Sequence, residues 1–207
     1  MNPENTPIPS TKVTEEVKET KKSTFKAIVK EILIFGLIAF GIVLPFRMYV
    51  AEPYVVDGRS MDPTFATGDY LIVDKLSYLA KTPERNSVIV FKYPNSPSKS
   101  FIKRVIGLPG ETIVGKNNDI TIINTEHPDG FVVDQSYVAY KSPSSFKKTL
   151  GDDEYFVMGD NRAESFDSRS WGPLKREFII GKPLLRLFPI NDIELLPGAE
   201  KNKSLDN

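Results

Sequence analysis

Fifteen consecutive residues without a charge, residues 32–46, constrain this 207-residue chain more than any other feature. In an α-helix that rises ~1.5 Å per residue they would cover ~22 Å, less than the ~30 Å of a bilayer's hydrocarbon core. Apolar residues on either side extend the helix to a spanning length if Lys30 and Arg47 direct their charged ends toward the two membrane surfaces. We therefore predict a transmembrane anchor helix over residues 25–51.

Two other interpretations of the apolar run are weaker. A buried core helix is disfavoured because a short helix in a small protein is seldom apolar on every side. A cleaved secretory signal fits the basic flank and the apolar length, but residues 47–51 contain no small-x-small cleavage motif. An uncleaved anchor is the interpretation that remains.

Basic residues that flank the run determine its expected orientation. The basic residues nearest the run are five lysines before it, Lys18, Lys21, Lys22, Lys26 and Lys30, and two arginines after it, Arg47 and Arg59. By the positive-inside rule, the N-terminus lies in the cytoplasm and everything after Ala51 lies outside. We expect a single-pass protein of the plasma (cytoplasmic) membrane with an extracytoplasmic domain at residues 52–196. The polar segments 1–24 and 197–207 are expected to be flexible tails, the first of them cytoplasmic.

The charge balance and the scarcity of metal-binding side chains exclude several classes of function. The chain has 27 basic and 27 acidic residues, so it lacks the basic excess that is typical of nucleic-acid-binding proteins. It has no cysteine and one histidine, which excludes disulfides, thiolate metal sites and multi-histidine sites. We expect no nucleic-acid partner, no metal and no other cofactor. His127 lies in a turn-like stretch and is interpreted as a solvated loop residue.

Strand patterns separated by turn residues recur after the anchor. Because no helix-sized pattern alternates with them, a parallel sheet is disfavoured. We predict a mostly β fold, an antiparallel, coiled-sheet or barrel-like domain, with short helices near residues 75–80 and 134–139. The candidate strands are residues 54–56, 70–74, 87–93, 101–106, 112–114, 120–124, 155–158 and 181–187.

Lys103 is a candidate general base in a chain whose one histidine is assigned to a loop. Strand alternation places Phe101, Lys103 and Val105 on one face, so apolar neighbours would remove water from the ammonium group. Lowering a lysine pKa from ~10.4 to ~8 corresponds to ~3 kcal/mol of disfavoured charging, which a largely buried site supplies. The alternative, an edge-strand lysine that reaches into water, stays open from this strand alone.

Two further segments carry groups suited to chemistry. Ser60 follows Asp57-Gly58-Arg59 in a predicted tight turn, where a hydroxyl and backbone N–H groups can converge. Residues 159–172 combine many hydrogen-bonding side chains with the only tryptophan. A calcium loop is disfavoured there, because the acidic residues lack EF-hand spacing and Arg162 and Arg169 oppose cation binding.

Taken together, these segments resemble type I signal peptidases, a family of membrane-anchored Ser–Lys proteases. The similarity runs in the family's order over roughly residues 27–189, and the ordered set of blocks is more specific than any one of them. The matching blocks are Glu52-Pro53-Tyr54, Ser60-Met61-Asp62-Pro63-Thr64, Gly68-Asp69, Ser87-Val88-Ile89-Val90-Phe91, Lys103-Arg104-Val105-Ile106-Gly107-Leu108-Pro109-Gly110-Glu111, Gly159-Asp160-Asn161-Arg162, Ser165, Asp167-Ser168-Arg169 and Trp171-Gly172.

The resemblance implies a role for each matching residue. It implies Ser60 as the nucleophile, the Ser60 backbone N–H as an oxyanion donor, and Lys103 as the general base. Ser165 would orient the lysine amine. Four residues would brace the site through ion pairs: Asp160, Asp167, Arg104 and Arg169. Five apolar residues would line shallow pockets for small substrate side chains: Val56, Met61, Phe65, Phe101 and Ile102.

The same resemblance implies a function and partners. The function would be that of a serine endopeptidase that removes signal peptides from exported preproteins after Ala-x-Ala-like sites, through an acyl-enzyme. The implied partners are the signal peptides of these preproteins and the lipid bilayer. We expect a monomer that acts near the secretion machinery.

The sequence departs from the family pattern in three places. Gly58 stands where some members have a serine whose hydroxyl assists the oxyanion, so backbone donors would carry more of that role. Arg85-Asn86-Ser87 replaces the Arg-Gly-Asp that often opens the next strand, which we interpret as a turn variation. The stretch between Glu111 and Tyr155 is short, so the accessory β-domain of larger members is expected to be reduced, to about residues 111–154.

Two other functions remain open from the residues. A penicillin-binding Ser-x-x-Lys acyltransferase would fit the spacing at residues 96–99, 144–147 and 145–148, but no Lys-Thr-Gly follows and the chain is short for that fold. A catalytically inactive, membrane-tethered β-domain would bind peptides without cleaving them. Alkaline dependence of turnover would separate an enzyme with a lysine base from such a domain.

Overall fold

The structure is a computed structural model that describes residues 25–199. The chain divides into two compact units, Met1–Met48 and Tyr49–Asn207. The predicted tail at residues 1–24 lies outside the described residues, as does the predicted tail at 197–207 apart from its first three residues.

The N-terminal unit is helical and rich in exposed apolar side chains. An α-helix (α1, residues 25–38) is followed by a π-helical turn at Ala39–Val43, and a second π-helical turn lies at Phe46–Val50. The sequence predicts one membrane-spanning helix over residues 25–51. In the part of the chain that the structure describes, however, no helix is both long and apolar enough to cross a membrane. The apolar run is divided between α-helical and π-helical segments, each shorter than the predicted span.

Twelve strands and two short α-helices form the described part of the second unit. The helices are α2 (Ser77–Ala80) and α3 (Ser168–Trp171). The strands are β1 (Ala51–Val55), β2 (Tyr70–Asp74), β3 (Val88–Lys92), β4 (Ser100–Gly107), β5 (Thr112–Asn117), β6 (Asp119–Ile123), β7 (Phe131–Val132), β8 (Ser144–Thr149), β9 (Glu154–Met158), β10 (Leu174–Lys175), β11 (Ile179–Phe188) and β12 (Glu194–Leu195).

Two antiparallel sheets contain these strands. The larger sheet has the order β1-β2-β11-β3-β4-β9-β10, with β12 paired to β11, and the smaller has the order β7-β6-β5-β8. Every strand pair in the described residues is antiparallel. This confirms the prediction of a mostly β, antiparallel fold. The smaller sheet falls inside the stretch predicted as a reduced accessory insertion.

Three apolar clusters build the core around β4. Residues 103–107 of this strand are buried on both faces, because apolar clusters pack against each face of the sheet. Val105 packs in a cluster with Ile89 and Phe91, whereas Ile106 packs in a second cluster between the two sheets. Ile102 packs against the third cluster, which lies beneath the turn after β1. The two faces of β4 therefore alternate as the sequence predicts.

Local hydrogen bonds explain where the predicted secondary structure is wrong. A helix was expected near residues 134–139, but Asp134 Oδ1 accepts from the Ser136 N–H at 3.0 Å, an Asx turn that competes with helix formation. The helix expected near residues 75–80 is present as α2.

The start of the predicted C-terminal tail is also ordered differently from the prediction. Pro197 is buried, and the Gly198 carbonyl accepts from Arg104 Nη1 at 2.7 Å. A Cβ on Gly198 would approach Phe65 and Val88 at 2.9 Å, so the backbone packs closely against the core here. Residues 197–199 are therefore held by the domain, because a buried cation needs this carbonyl as an acceptor.

Candidate active site

The turn between β1 and β2 presents Ser60. Two backbone hydrogen bonds join the two ends of this turn: Val56 N–H donates to the Asp69 carbonyl, and Gly68 N–H donates to the Val56 carbonyl, each at 2.9 Å. Gly58 adopts a φ of 102°, which favours glycine, and its N–H donates to Thr67 Oγ1 at 3.1 Å. The turn is thereby fixed so that Ser60 faces the cleft beside β4.

Lys103 on β4 meets Ser60 directly. Its Nζ donates to Ser60 Oγ at 2.6 Å and to the Ile102 carbonyl at 2.9 Å. The lysine is 4% exposed, so the edge-strand alternative is wrong. On one side β3 pairs with residues 100–104 of this strand, on the other β9 pairs with residues 104–107, and the Lys103 side chain is buried in the protein rather than reaching into water.

Burial changes the protonation chemistry of this lysine. Desolvation lowers the pKa of Lys103 from 10.5 to about 8, against the opposing effect of the carboxylates of Asp167 and Asp160. A pKa near 8 leaves roughly a tenth of the amine neutral at pH 7, against less than a thousandth for an ordinary lysine. A neutral amine hydrogen-bonded to a hydroxyl is the arrangement in which the amine can remove the hydroxyl proton.

The segment after β9 braces this pair through two ion pairs, one fully buried and one partly exposed at its arginine. Arg104 is bidentate to Asp160, with Nε–Oδ1 at 2.9 Å and Nη2–Oδ2 at 2.6 Å, and Thr64 Oγ1 donates to the same carboxylate at 2.6 Å. Arg169 is bidentate to Asp167, with both distances at 2.8 Å. Planar guanidinium–carboxylate pairs of this kind restrict orientation as well as position. All four residues predicted to brace the site are therefore brought together in two pairs.

Gly159 and Ser165 lie at the closest approach between this segment and the nucleophile turn. Gly159 N–H donates to Asp167 Oδ2 at 3.0 Å, and a Cβ at this position would overlap the Ser60 carbonyl oxygen and Ser165 Oγ. Ser165 Oγ is buried and makes no hydrogen bond among the described residues. The bond from the Lys103 amine to Ser165 that the resemblance implies is not formed here, so the orienting role of Ser165 stays a prediction.

A cleft of about 270 Å³ opens beside Ser60 and Lys103. Three of the five predicted pocket residues line it: Val56, Phe101 and Ile102. The other two, Met61 and Phe65, are fully buried beneath the turn and support the wall from behind. The sequence analysis missed Glu164 and Phe166 on the rim, because their loop contacts the cleft only through the tertiary fold.

Asn161 is a third residue that sequence reasoning left without a role. It is 2% exposed, its backbone N–H donates to the Ser60 carbonyl at 3.0 Å, and its side-chain Nδ2 donates to the Arg59 carbonyl at 3.1 Å. The partners are about a hundred positions away, so no local pattern could have indicated them. The sequence signals were the polar composition of residues 159–172 and the position of Asn161 in the matching block Gly159-Asp160-Asn161-Arg162.

The remaining candidate groups lie elsewhere. His127 is exposed in a loop, as predicted, with its N–H bonded to Asn124 Oδ1 at 2.8 Å. Residues 96–99 form a turn, and residues 144–148 lie on β8, where positions three apart point to opposite faces. Neither segment is the helix that a Ser-x-x-Lys acyltransferase requires, so that alternative is not supported.

Comparison with known proteins gives one consistent result. The family model described as "Signal peptidase, peptidase S26" matches residues 29–188. A probable signal peptidase I-2 of Synechocystis is 31% identical over 92% of this chain and 88% of its own length. The signal peptidase I of Leptolyngbya laminosa is 36% identical over 79% of each chain, and signal peptidase I V of Bacillus subtilis is 37% identical over 70% of this chain and 91% of its own length.

A solved structure also matches part of the chain. The crystal structure of a signal peptidase I from Enterococcus faecalis aligns with a TM-score of 0.43 at 29% identity, covering 49% of this chain and 97% of that one.

Proposed function

The chain belongs to the signal peptidase family, peptidase S26, and from that premise we propose that it removes signal peptides from exported preproteins with Ser60 as nucleophile and Lys103 as general base. The observation that carries the proposal is the 2.6 Å hydrogen bond between Lys103 Nζ and Ser60 Oγ. The burial of this lysine supplies the neutral amine that the chemistry needs.

Acylation follows from this contact. Neutral Lys103 takes the Ser60 proton while Oγ attacks the scissile carbonyl carbon, and the carbonyl π electrons move onto oxygen. The resulting oxyanion is stabilised by backbone donors, among them the Ser60 N–H. The lysine ammonium then gives its proton to the departing amine, which becomes the N-terminus of the mature protein. An ester between Ser60 and the signal peptide remains.

Deacylation uses the same base. Lys103, neutral again, takes a proton from water, and the hydroxide attacks the ester carbonyl. The C–O bond to Ser60 breaks, the serine regains its proton from the lysine, and the signal peptide leaves as a carboxylic acid that gives its proton to the solvent. Within the protein, no group other than Ser60 and Lys103 has to change its protonation state.

The small cleft accounts for the proposed preference. Its walls at Val56, Phe101 and Ile102 are apolar, and the buried Met61 and Phe65 behind them leave little space to expand. Small side chains before the scissile bond would fit, whereas bulky ones would displace packed core residues.

We further propose attachment to the lipid bilayer through the apolar N-terminal unit. Its large side chains are exposed, with Phe35, Leu37 and Phe40 at 73–74%, and such a surface is stable in hydrocarbon rather than in water. The proposed placement is the plasma (cytoplasmic) membrane, with the N-terminus in the cytoplasm and the peptidase unit outside, acting as a monomer near the secretion machinery. Attachment would concentrate the enzyme where signal peptides are held.

Cleavage of a defined preprotein tests the function. Purified protein in detergent should cut a preprotein after an Ala-x-Ala sequence, and the mass of the product should place the new N-terminus directly after the second alanine. Replacing that alanine by phenylalanine should lower kcat/KM at least ~10-fold, because the cleft cannot admit the ring. Equal cleavage of both preproteins would contradict the proposed pocket, and no cleavage of the first would contradict the function.

Activity should rise with pH, because the base works only when neutral. With the Lys103 pKa at about 8, log kcat/KM should increase with a slope near one up to about pH 8 and level off above it. The measurement is a peptide-cleavage profile from about pH 6 to about pH 10, with folding monitored at each pH. A profile that is flat through this range would exclude a titrating lysine base.

A further inference from the structure

We infer that Asn161 is a positioning residue that aims the oxyanion donor, an inference that rests on the proposed function. Its side-chain Nδ2 donates to the Arg59 carbonyl at 3.1 Å. That carbonyl belongs to the same peptide unit as the Ser60 N–H, and the Arg59–Ser60 bond is not among the cis peptide bonds of the described residues. In a planar trans peptide the C=O and N–H point in opposite directions. Asn161 lies in the loop after β9, so its hydrogen bond holds the Arg59 carbonyl toward that loop. The Ser60 N–H, at the opposite side of the same peptide, therefore points away from the loop.

The orientation of the Asn161 amide is itself fixed by a second contact. The Glu164 N–H donates to Asn161 Oδ1 at 3.1 Å, so the oxygen and nitrogen of the amide have distinct partners and cannot exchange places without losing both bonds. Asn161 itself is 2% exposed, so water has little access to its side-chain amide. The donor on the Arg59 carbonyl is thus held rigidly.

The next peptide unit is held from the same residue. The Asn161 backbone N–H donates to the Ser60 carbonyl at 3.0 Å, so Asn161 secures the carbonyls on both sides of the Ser60 Cα. The Arg59 carbonyl also accepts from the Asp62 N–H at 3.2 Å, a bond within the turn that does not connect it to the rest of the domain. Asn161 is therefore the described link between this peptide plane and the loop braced by the two ion pairs.

Gly58 makes this link more important. With glycine at that position no side-chain hydroxyl is supplied there, so the stabilisation of the oxyanion depends on backbone donors. A hydrogen bond accepted by the Arg59 carbonyl also polarises the peptide and strengthens its N–H as a donor. The proposed consequence is that losing the Asn161 amide weakens binding of the transition state and leaves binding of the substrate unchanged.

A pair of inhibitors separates these two kinds of binding. A peptide aldehyde with alanine at the reactive carbon adds to Ser60: the Oγ–C bond forms, the C=O π bond breaks, and the serine proton passes to Lys103, which leaves an oxyanion. The corresponding peptide alcohol binds the same cleft and cannot form that bond. The ratio of the aldehyde dissociation constant to the alcohol dissociation constant measures how well the oxyanion is stabilised. Because only folded molecules bind either inhibitor, a partly unfolded sample changes both constants equally and leaves the ratio unchanged.

In Asn161→Ala the aldehyde should bind ~10- to 100-fold more weakly relative to the alcohol, with kcat reduced by a similar factor and KM within ~2-fold of its original value. Asn161→Asp keeps an acceptor for the Glu164 N–H and lacks the donor, so it should show the same loss. The midpoint of the pH profile should stay near that of the unmodified enzyme in Asn161→Ala, because Lys103 is not contacted.

Asn124→Ala is the matched control. The Asn124 side chain also donates from Nδ2, to Glu111 at 2.9 Å, and accepts loop N–H groups on Oδ1, but it does not line the cleft beside Ser60. In Asn124→Ala the ratio of the aldehyde and alcohol dissociation constants should be unchanged. An unchanged ratio in both Asn161 variants, or loss of folding in both, would overturn the inference. Failure of the unmodified enzyme to cleave a preprotein would instead overturn the proposed function.

Discussion

Replacing Lys103 by methionine, or Ser60 by alanine, is expected to reduce kcat/KM for a preprotein at least ~1,000-fold. Methionine fills similar volume but cannot accept a proton, and alanine removes the attacking oxygen. The two losses should not add in the double variant, because each change disables the same step. Cleavage followed by gel electrophoresis and mass measurement detects the effect.

The stability of the Lys103→Met variant provides a second measurement on the same residue. A pKa lowered from 10.5 to about 8 corresponds to ~3 kcal/mol of cost for charging the buried amine. Native and unfolded chains are both protonated below pH 8, so the full cost is present there and fades as pH rises toward the unfolded value of ~10.4. Thermal unfolding at pH 7 should therefore show the variant to be at least as stable as the original.

Lys116→Met is the control for this substitution, since Lys116 is an exposed lysine on β5. It should retain full activity and show no comparable stabilisation. Turnover by Lys103→Met within ~10-fold of the unmodified enzyme would contradict the assignment of this residue as the base.

Replacing Gly159 by alanine should lower kcat at least ~100-fold while the domain stays folded. The added Cβ would overlap the Ser60 carbonyl oxygen and Ser165 Oγ. The first of these is backbone, so the nucleophile turn itself has to move. A displacement of this size breaks the short Lys103–Ser60 contact, on which proton transfer depends.

Gly151→Ala is a matched test at the other end of β9. A Cβ at Gly151 would meet only Glu154 side-chain atoms, at 3.5–3.7 Å, which is ordinary contact. That variant should be as active as the original, and steady-state kinetics on both variants with circular dichroism make the comparison. Equal activity of the two would show that the close packing at Gly159 does not position the nucleophile.

The sequence predicts the parts of the fold that depend on residue types and turn residues within one segment. All eight candidate strands are present, because β-branched and aromatic residues bounded by turn residues leave few alternatives. The strands that were missed are short or polar: β7, β10 and β12 have two residues each, and β8 reads Ser-Ser-Phe-Lys-Lys-Thr. Pairing with β5 stabilises β8 despite its composition.

In the candidate site, too, features within one segment were predictable and contacts between distant segments were not. The local settings of Lys103 and Ser60, a strand and a turn, made each a candidate, and only the ordered set of blocks that resembles the family assigned them as a pair. The position of Asn161 against Arg59, or of Met61 behind the cleft rather than on its wall, depends on how distant segments pack. No spacing within one segment encodes such contacts.

The bond between the Gly198 carbonyl and Arg104 has a practical implication for anyone shortening the protein. Arg104 is buried and carries a full positive charge beside Asp160, and its Nη1 is bound by the Asn86 and Gly198 carbonyls at 2.7 Å each. A version cut ahead of residue 197 would strip one acceptor from this guanidinium and uncover Phe65 and Val88, one layer below the nucleophile turn. Trimmed forms for crystallisation or inhibitor screening therefore need to retain the chain through Gly198, and affinity tags belong beyond it.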